Sequence, residues 1–437
     1  KSAFFPFHSW LPRAHSAAPA HVSALMSGVI HKAGLFGFLR FTFMMGKPEE
    51  WMGWTVLAFG GLSALFGVMS TATQRDLKRL LGYSSTEHVG IMAMGFGVGY
   101  LGWAWDLPAL AAAGFAGGLL HLFNHALFKC LLFYAAGAVY HATHTVDLER
   151  LGGLAKRLPR TAALFLVGSV AICAFPPLNG FCSELLVYSG LLSGLAPRPE
   201  HNVALTAAAA GLAFVGAISA LSMVRAFGVA FLGRPRDPQL HLGKDAPHSM
   251  LAPMGLHALG VVVVGVAPGV ALTLVQGGLS PLPQPLASAT GLAFESLAPA
   301  LWASRLLGGT LLLAGAVSWL KGRAARRIPT WGCGYTAAGP RMQYTGSSFA
   351  EHFARIFDAF LPVLRRGQPP TELFPRQGAH LGTHHPDPVE RRMFEVLGRG
   401  EEYVAQGTEK IPDQPRFAFA AGLVTLFLIG IILVALR

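Results

Sequence analysis

The chain has 437 residues, of which 52% are hydrophobic and only 13% charged, with a mean hydropathy of +0.47. This composition excludes an ordinary water-soluble domain and fits a polytopic membrane protein. The net charge of +12 falls between apolar runs, as membrane topology requires, and no basic–aromatic module accompanies it, so nucleic acid is excluded as a partner.

Lys1 to Leu11 is apolar and aromatic but too short to cross a bilayer. No small-residue cleavage site marks it as a signal peptide. It reads as the tail of a spanning helix whose start is missing. Apolar runs then predict spans over 22–46, 51–73, 82–100, 109–140, 160–191, 203–232, 249–276, 300–320 and 417–436. The fold class is therefore all-α, with about nine full transmembrane helices plus that remnant. If the spans alternate, one side receives Arg13, Arg75, Lys78, Arg79, Arg150, Lys156, Arg157, Arg160, Arg234, Arg236, Lys244 and the basic segment 321–416. The other side receives Lys47, Arg198 and Arg437. The excess of Lys and Arg makes the first side cytoplasmic and the membrane a bacterial inner membrane or an equivalent one.

In the span 22–46, Ser23, Ser27 and His31 share a face, while Lys32 points about 100° away. Glu87 and His88 stand near the start of 82–100, where they suit either proton admission or a solvated helix start. The run from Ala109 to Tyr140 carries one formal charge, Lys129. A lysine at that depth costs about 3 kcal/mol on insertion scales and does not face lipid. His121 and His125 precede it at four-residue steps, about 6 Å apart along the axis, and Asn124 borders the same stripe. Titratable groups in a row inside a membrane point to a proton path. The competing reading makes the histidines interhelical glue and gives the lysine a carboxylate partner.

The span 160–191 is interrupted. Residues 175–184 read F-P-P-L-N-G-F-C-S-E, where Pro176 and Pro177 break the helix and Gly180 adds a flexible point. Breaks at bilayer depth mark ion paths in transporters. Glu184, one turn beyond, is the candidate carboxylate carrier, or else a fixed counter-ion to Lys129. Arg225 reads as a snorkelling side chain and Arg305 as an anchor.

Segment 321–416 is the one sizeable region outside the spans. Ser348-x-x-Glu351 spells a capping box, and Phe349, Phe353, Ile356, Phe357, Phe360 and Leu364 follow at helical spacing. Such a helix lies either on the lipid surface or on the protein's own cytoplasmic face. A second helix is expected from Pro388 to about Gln406. His380, His384, His385 and Asp387 lack a recognised ligand spacing, so no metal is assigned. Cys130, Cys173, Cys182 and Cys333 form no C-x-x-C. No cofactor is expected on this chain, and redox chemistry belongs to another subunit.

Together, K-S-A-F-F-P-F-H-S-W-L-P at 1–12, H-V-S-A-L-M-S-G-V-I-H-K-A-G at 21–34, D-L-K-R-L-L-G-Y-S-S at 76–85, N-H-A-L-F-K at 124–129 and P-P-L-N-G-F-C-S-E at 176–184 resemble the antiporter-like membrane subunits of complex I. That superfamily includes multisubunit cation/proton antiporters. The W-G-C-G-Y-x-x-x-G-P-R-M-Q-Y-T-G-S-S-F run at 331–349 is similar to the hydrogenase-4 component B and formate hydrogenlyase subunit 3 branch. The resemblance implies inverted five-helix repeats, each with a broken helix and a half-channel. It implies that 1–46 ends a first repeat, 51–232 forms the second, 249–320 adds two helices, and 417–437 closes the chain with a span. It assigns Lys1 to the first broken helix, Lys32 to a connecting role, Lys129 to the centre of the second repeat and Glu184 to the acid after the second break. Family members also have helices upstream of Lys1, one bearing its glutamate partner. The implied activity is proton translocation in a redox-driven complex, beside other membrane subunits and a peripheral redox arm.

Overall fold

A computed structural model describes residues 1–322 except 238, 241 and 242, together with 334–335, 339–358, 360, 364–366, 382–384, 386–389 and 391–392. The expected span 417–436, Cys333 and most of the expected helix from Pro388 to Gln406 lie outside the described residues. Two compact units are present, Lys1–Asp358 and Ala359–Arg437.

The first unit is helical. In chain order it contains α1 (Trp10–Ala17), α2 (Ala20–Leu25), a π-helical turn (Met26–Ile30) running into α3 (His31–Met44), α4 (Glu50–Thr73), α5 (Leu77–Ala104) and α6 (Pro108–Thr143). Then follow α7 (Pro159–Ile172), α8 (Asn179–Ser193), α9 (Asn202–Phe231), α10 (His248–Val266), α11 (Leu272–Leu279), α12 (Gln284–Glu295), α13 (Ala298–Gly322) and α14 (Gly346–Ile356). In the second unit, β1 (Leu364–Arg366) pairs antiparallel with β2 (Gly382–His384). The expected helical run through Leu364 therefore ends at Ile356, and Arg365 and Arg366 sit on a strand.

Among the described residues, six stretches are long and apolar enough to cross a membrane: 20–44, 50–73, 108–143, 199–231, 248–266 and 284–321. The sequence-based list of nine differs at three places. The run 249–276 stops at Val266, and a 3-10 turn at Pro268–Ala271 leads into the short α11. The run 160–191 is two half-length helices. The third difference is α5, a helix of 28 residues whose apolar run is interrupted by the polar stretch Ser84 to His88.

α5 lies between α4 and α6 and is buried along nearly its whole length. Glycines make this possible by letting backbones approach, as small residues do in membrane bundles. A Cβ on Gly60 or Gly67 of α4 would come within 2.7 Å of Met94 N or 2.5 Å of Glu87 N. On the opposite side, a Cβ on Gly95 would meet Gly118 of α6 at 2.8 Å. α5 starts earlier than apolarity suggests because Asp76 caps it, accepting from Arg79 N at 2.7 Å. Leu77 N also bonds Val146 O and Leu148 N bonds Arg75 O, so the loop after α6 pins the start.

α7 begins at Pro159, where a missing N–H costs nothing. Its cap comes from far away: Asp245 accepts from Arg160 N at 2.8 Å and from Thr161 Oγ1 at 2.6 Å. α14 has a capping box, but three residues earlier than expected. Thr345 and Ser348 exchange side-chain and backbone bonds, and Glu351 instead pairs with Arg355 at 2.7 Å on the surface. The helix docks on the protein itself. Ala350 and Ala354 are buried, Phe357 meets Phe214 of α9, and Ser347 N and Oγ bond Glu149 Oε1 at 2.6 and 2.8 Å.

Candidate functional site: a buried row of lysines, histidines and carboxyls

The break between α7 and α8 presents the first half of the site. Ala174 takes φ +53° and Phe175 N turns back to Val170 O. α8 then restarts at Asn179, which exchanges side-chain bonds with Asn124 of α6. Asn124 Nδ2 donates to Asn179 O at 2.7 Å, and Asn179 Nδ2 to Asn124 Oδ1 at 3.2 Å. Asn124 is thus a clamp on the break. Gly180 is not a flexible point but a place of close approach, since a Cβ there would overlap Ala171 O. Protein covers the far side of the break, where Gly265 of α10 packs on Pro177 O and Leu178, and Gly308 of α13 on the Pro177 ring.

α6 is continuous, so His121, His125 and Lys129 do share one face. All three are fully buried. They do not, however, lead straight into one another. His88 of α5 stands between them: its Nδ1 lies 2.9 Å from His121 Nε2, and its ring centroid lies 5.2 Å from that of His125. Glu87 and His88 are both fully buried. They are no solvated helix start, because Asp76 sets the first turn of α5 about 15 Å before Glu87 at 1.5 Å per residue.

Lys129 does not pair with Glu184. Its Nζ donates to Leu81 O at 2.8 Å and to Ser84 Oγ, both on α5. Glu184, one turn into α8 and almost fully buried, instead groups with His88 and His121, their ligating atoms all within 4.8 Å of one another. Ser183 beside it bonds His121 Nδ1 at 2.9 Å.

Lys32 is held by the π-helical turn. Such a turn loosens the i→i−4 ladder and frees carbonyls, and Lys32 Nζ donates to Ser27 O at 2.5 Å and Gly28 O at 2.9 Å. Ser27 Oγ then meets Ser85 Oγ of α5 at 2.9 Å. Ser85 adjoins Ser84, the Lys129 partner, and Ser85 Oγ and Lys129 Nζ both donate to Leu81 O, at 3.0 and 2.8 Å. His31 is buried with neither ring nitrogen bonded.

Two expected members stand elsewhere. Lys1, the first residue of the chain, lies beside Gly34 of α3. Arg225 is not snorkelling. It is fully buried, and its guanidinium donates to Thr71 O and Gln74 O at the end of α4, at 3.1 and 2.6 Å, and to Gly346 O at 3.2 Å. Arg305 likewise caps α10, bonding Val266 O at 2.9 and 2.7 Å.

Sequence reasoning missed Ser84, Ser85 and Ser183, and also His15. His15 sits on α1, fully buried, stacked on Phe133 at 4.5 Å, with both ring nitrogens unbonded. A cleft of about 760 Å³ opens beside this segment, lined among others by Ser16, His21, Lys78, Tyr134, His141 and His144. Orphaned buried polar atoms are rare in proteins and usually mark internal water. Here they recur at His15, His31, both Glu87 oxygens, His88 Nε2 and both His125 nitrogens.

Residues 1–197 match the family described as NADH:quinone oxidoreductase/Mrp antiporter, transmembrane. Hydrogenase-4 component B of Escherichia coli is 36% identical over 390 residues, covering 85% of this chain and 58% of that protein. Formate hydrogenlyase subunit 3 of Escherichia coli is 34% identical over 370 residues, covering 83% and 59%. The chain thus spans under three fifths of the length of these relatives. The fold matches a chain of the membrane-bound sulfane sulfur reductase, an archaeal respiratory membrane complex, with a TM-score of 0.70 and 24% identity over 98% of this chain and 66% of that one. The motifs from Lys1 to Glu184 all lie within the matched stretch, and over residues 1–197 the chain is similar to the transmembrane family of NADH:quinone oxidoreductases and Mrp antiporters.

Proposed function

We propose that this chain is the proton-translocating membrane subunit of a redox-driven complex of the hydrogenase or formate hydrogenlyase kind. The observation that carries the reading is the buried row itself. It runs from Lys32 through Ser27, Ser85 and Ser84 to Lys129, and on past Glu87 through His88 and His121 to Ser183 and Glu184. Lysines, histidines and carboxyls inside a membrane are costly and are kept for ion or proton movement. The unbonded atoms beside them are where water bridges the gaps. His15 and the cleft at His21, His141 and His144 offer Lys129 a route to one membrane surface, and Glu184 faces the other end of the row.

The names of the two relatives favour hydrogenase-type partners, with further membrane subunits and a peripheral redox arm. On this reading the redox centres are on those partners and no cofactor is carried here. The basic loops put segment 321–416 in the cytoplasm of a cell with this protein in its inner membrane. A second reading, a subunit of an NADH:quinone oxidoreductase or of a sodium/proton antiporter, is favoured by the family description. A passive membrane anchor is the third. Purification of the native assembly separates the first two: a nickel-bearing large subunit supports hydrogenase, and a flavin chain supports NADH oxidation. Proton uptake by vesicles holding that assembly, driven by its electron donor, tests both against the anchor. Electron transfer without proton movement sinks the proposal.

A further inference from the structure

His88, His121 and Glu184 bring two imidazole nitrogens and a carboxylate within 4.8 Å of one another, which exceeds what a proton path alone requires. The proton positions follow from hydrogen-bond accounting. Ser183 Oγ donates its single proton to Gly180 O at 3.0 Å and accepts from Asn124 Nδ2 at 3.0 Å. With the hydroxyl proton assigned to Gly180 O, His121 Nδ1, 2.9 Å from the same oxygen, is the donor in that contact. Its Nε2 then carries a lone pair aimed at His88 and Glu184. A backbone carbonyl and two side chains fix that tautomer, as second-shell partners fix metal-bound histidines. His88 has its own carboxylate behind it. Its Nε2 lies 3.8 Å from Glu87 Oε1 and forms no hydrogen bond.

We propose that His88, His121 and Glu184 form a binding site for a divalent transition ion of the Zn²⁺ class, and that occupancy blocks proton movement along the row. Two imidazoles and one carboxylate are a donor set such ions take, with an open fourth position for water. On binding, the ion takes the His121 Nε2 lone pair. The His88 proton moves from Nδ1 to Nε2, freeing Nδ1 for the ion and turning the new N–H toward Glu87. Glu184 supplies an oxygen as carboxylate and releases its proton to solvent if it held one. The two nitrogens, now 2.9 Å apart, open by a few tenths of an ångström to admit Zn–N bonds of about 2.0–2.1 Å. Glu184 is the one member with exposed area, so the ion arrives from its side. Once bound, it holds the lone pairs a proton would need.

The test uses the chain in its native complex, purified and stripped with a chelator. Co²⁺ is the probe, since low-coordinate Co²⁺ with nitrogen ligands absorbs strongly in the visible and water-ligated Co²⁺ does not. One equivalent should develop that absorption, and Zn²⁺ should displace it. His121→Gln and Glu184→Gln should each abolish it. Glu87→Gln should weaken binding by about 10- to 100-fold, the usual cost of losing a second-shell partner. His257→Gln, on α10 and bonded to Pro253 O, should change nothing. Absorption is read without any proton gradient, so an intact Co²⁺ spectrum sustains the site whatever the transport assay gives. A wild-type spectrum of the water-ligated kind, or one that survives both His121→Gln and Glu184→Gln, overturns it.

Discussion

Ser27 and Ser85 bring their hydroxyls to 2.9 Å across two helices, and this contact lies between the groups that hold the two buried lysines. Ser27 offers its carbonyl to Lys32, and Ser84, the neighbour of Ser85, receives Lys129. A lysine that loses or gains a proton changes the field at the other through two hydroxyls, each able to donate and accept. The link runs sideways, from the π-helical turn to the centre of the bundle.

Ser85→Ala should therefore uncouple the two lysines without unfolding the protein. A neutral hydrogen bond is worth about 1 kcal/mol net, a factor of about five in rate or equilibrium. Proton uptake by vesicles should fall by that order while electron transfer in the complex holds. Uptake equal to wild type would remove the serine pair from the path.

Lys129→Ala should abolish proton uptake and leave electron transfer between partner subunits largely intact. Lys129→Arg should fail as well, because a guanidinium stays protonated throughout. Normal pumping by the arginine variant would make Lys129 a fixed charge, and the anchor reading would gain.

Gly180→Ala tests the break. The added methyl overlaps Ala171 O, and overpacking of this kind costs about 1–3 kcal/mol. The purified assembly should melt at lower temperature, whereas Pro176→Ala should be milder because no backbone needs to move aside. Equal melting of Gly180→Ala and wild type would show that the two half-helices shift freely.

Arg225→Ala should release α14. The guanidinium joins Thr71 O and Gln74 O to Gly346 O, and leaving such buried acceptors unsatisfied costs about 1–3 kcal/mol. Limited proteolysis should then cut near residue 346 several-fold faster. Arg225→Lys should rescue little, since an ammonium cannot span the fork. Proton uptake should survive to the extent that the assembly does. An unchanged cleavage rate would show that Glu149 and Ser347 hold α14 without the arginine.

Much of this site is legible in the sequence. Lys129 is a lone charge in a long apolar run, and the four-residue steps to His125 and His121 survive in an unbroken helix. Pro176 and Pro177 mark the break where it occurs. Depth along α5 was not legible, because its start depends on Asp76 and on bonds to the distant Val146 loop. Glu87 and His88 consequently read equally as a point of proton admission and as a solvated helix start. The serines carry no signal of their own, since hydroxyls are common packing partners in membrane helices. Arg225 read as a snorkelling side chain because its partners, the carbonyls of Thr71, Gln74 and Gly346, are backbone atoms remote in sequence. The capping box slipped by three residues because Thr345 and Ser348 satisfy the pattern before Ser348 and Glu351 can.

The encasement of α5 has a consequence for how the protein is made. α5 holds Lys78, Arg79 and Glu87 in a helix that meets protein, not lipid, along almost its whole length. A charge such as Glu87 at mid-membrane costs about 2.5–3.5 kcal/mol on insertion scales, and His88 with the hydroxyls of Tyr83, Ser84, Ser85 and Thr86 beside it adds to that cost. α5 is thus unsuited to leaving the translocation channel alone. Its glycine seams fit α4 before it and α6 after it, so it should wait at the channel until α6 emerges and enter the bilayer as the middle of a three-helix unit. Glycosylation mapping of truncated chains gives the check: α5 should integrate poorly in a chain ending near residue 107 and well in one extended past residue 143. Equal integration in both would show that α5 enters unaided.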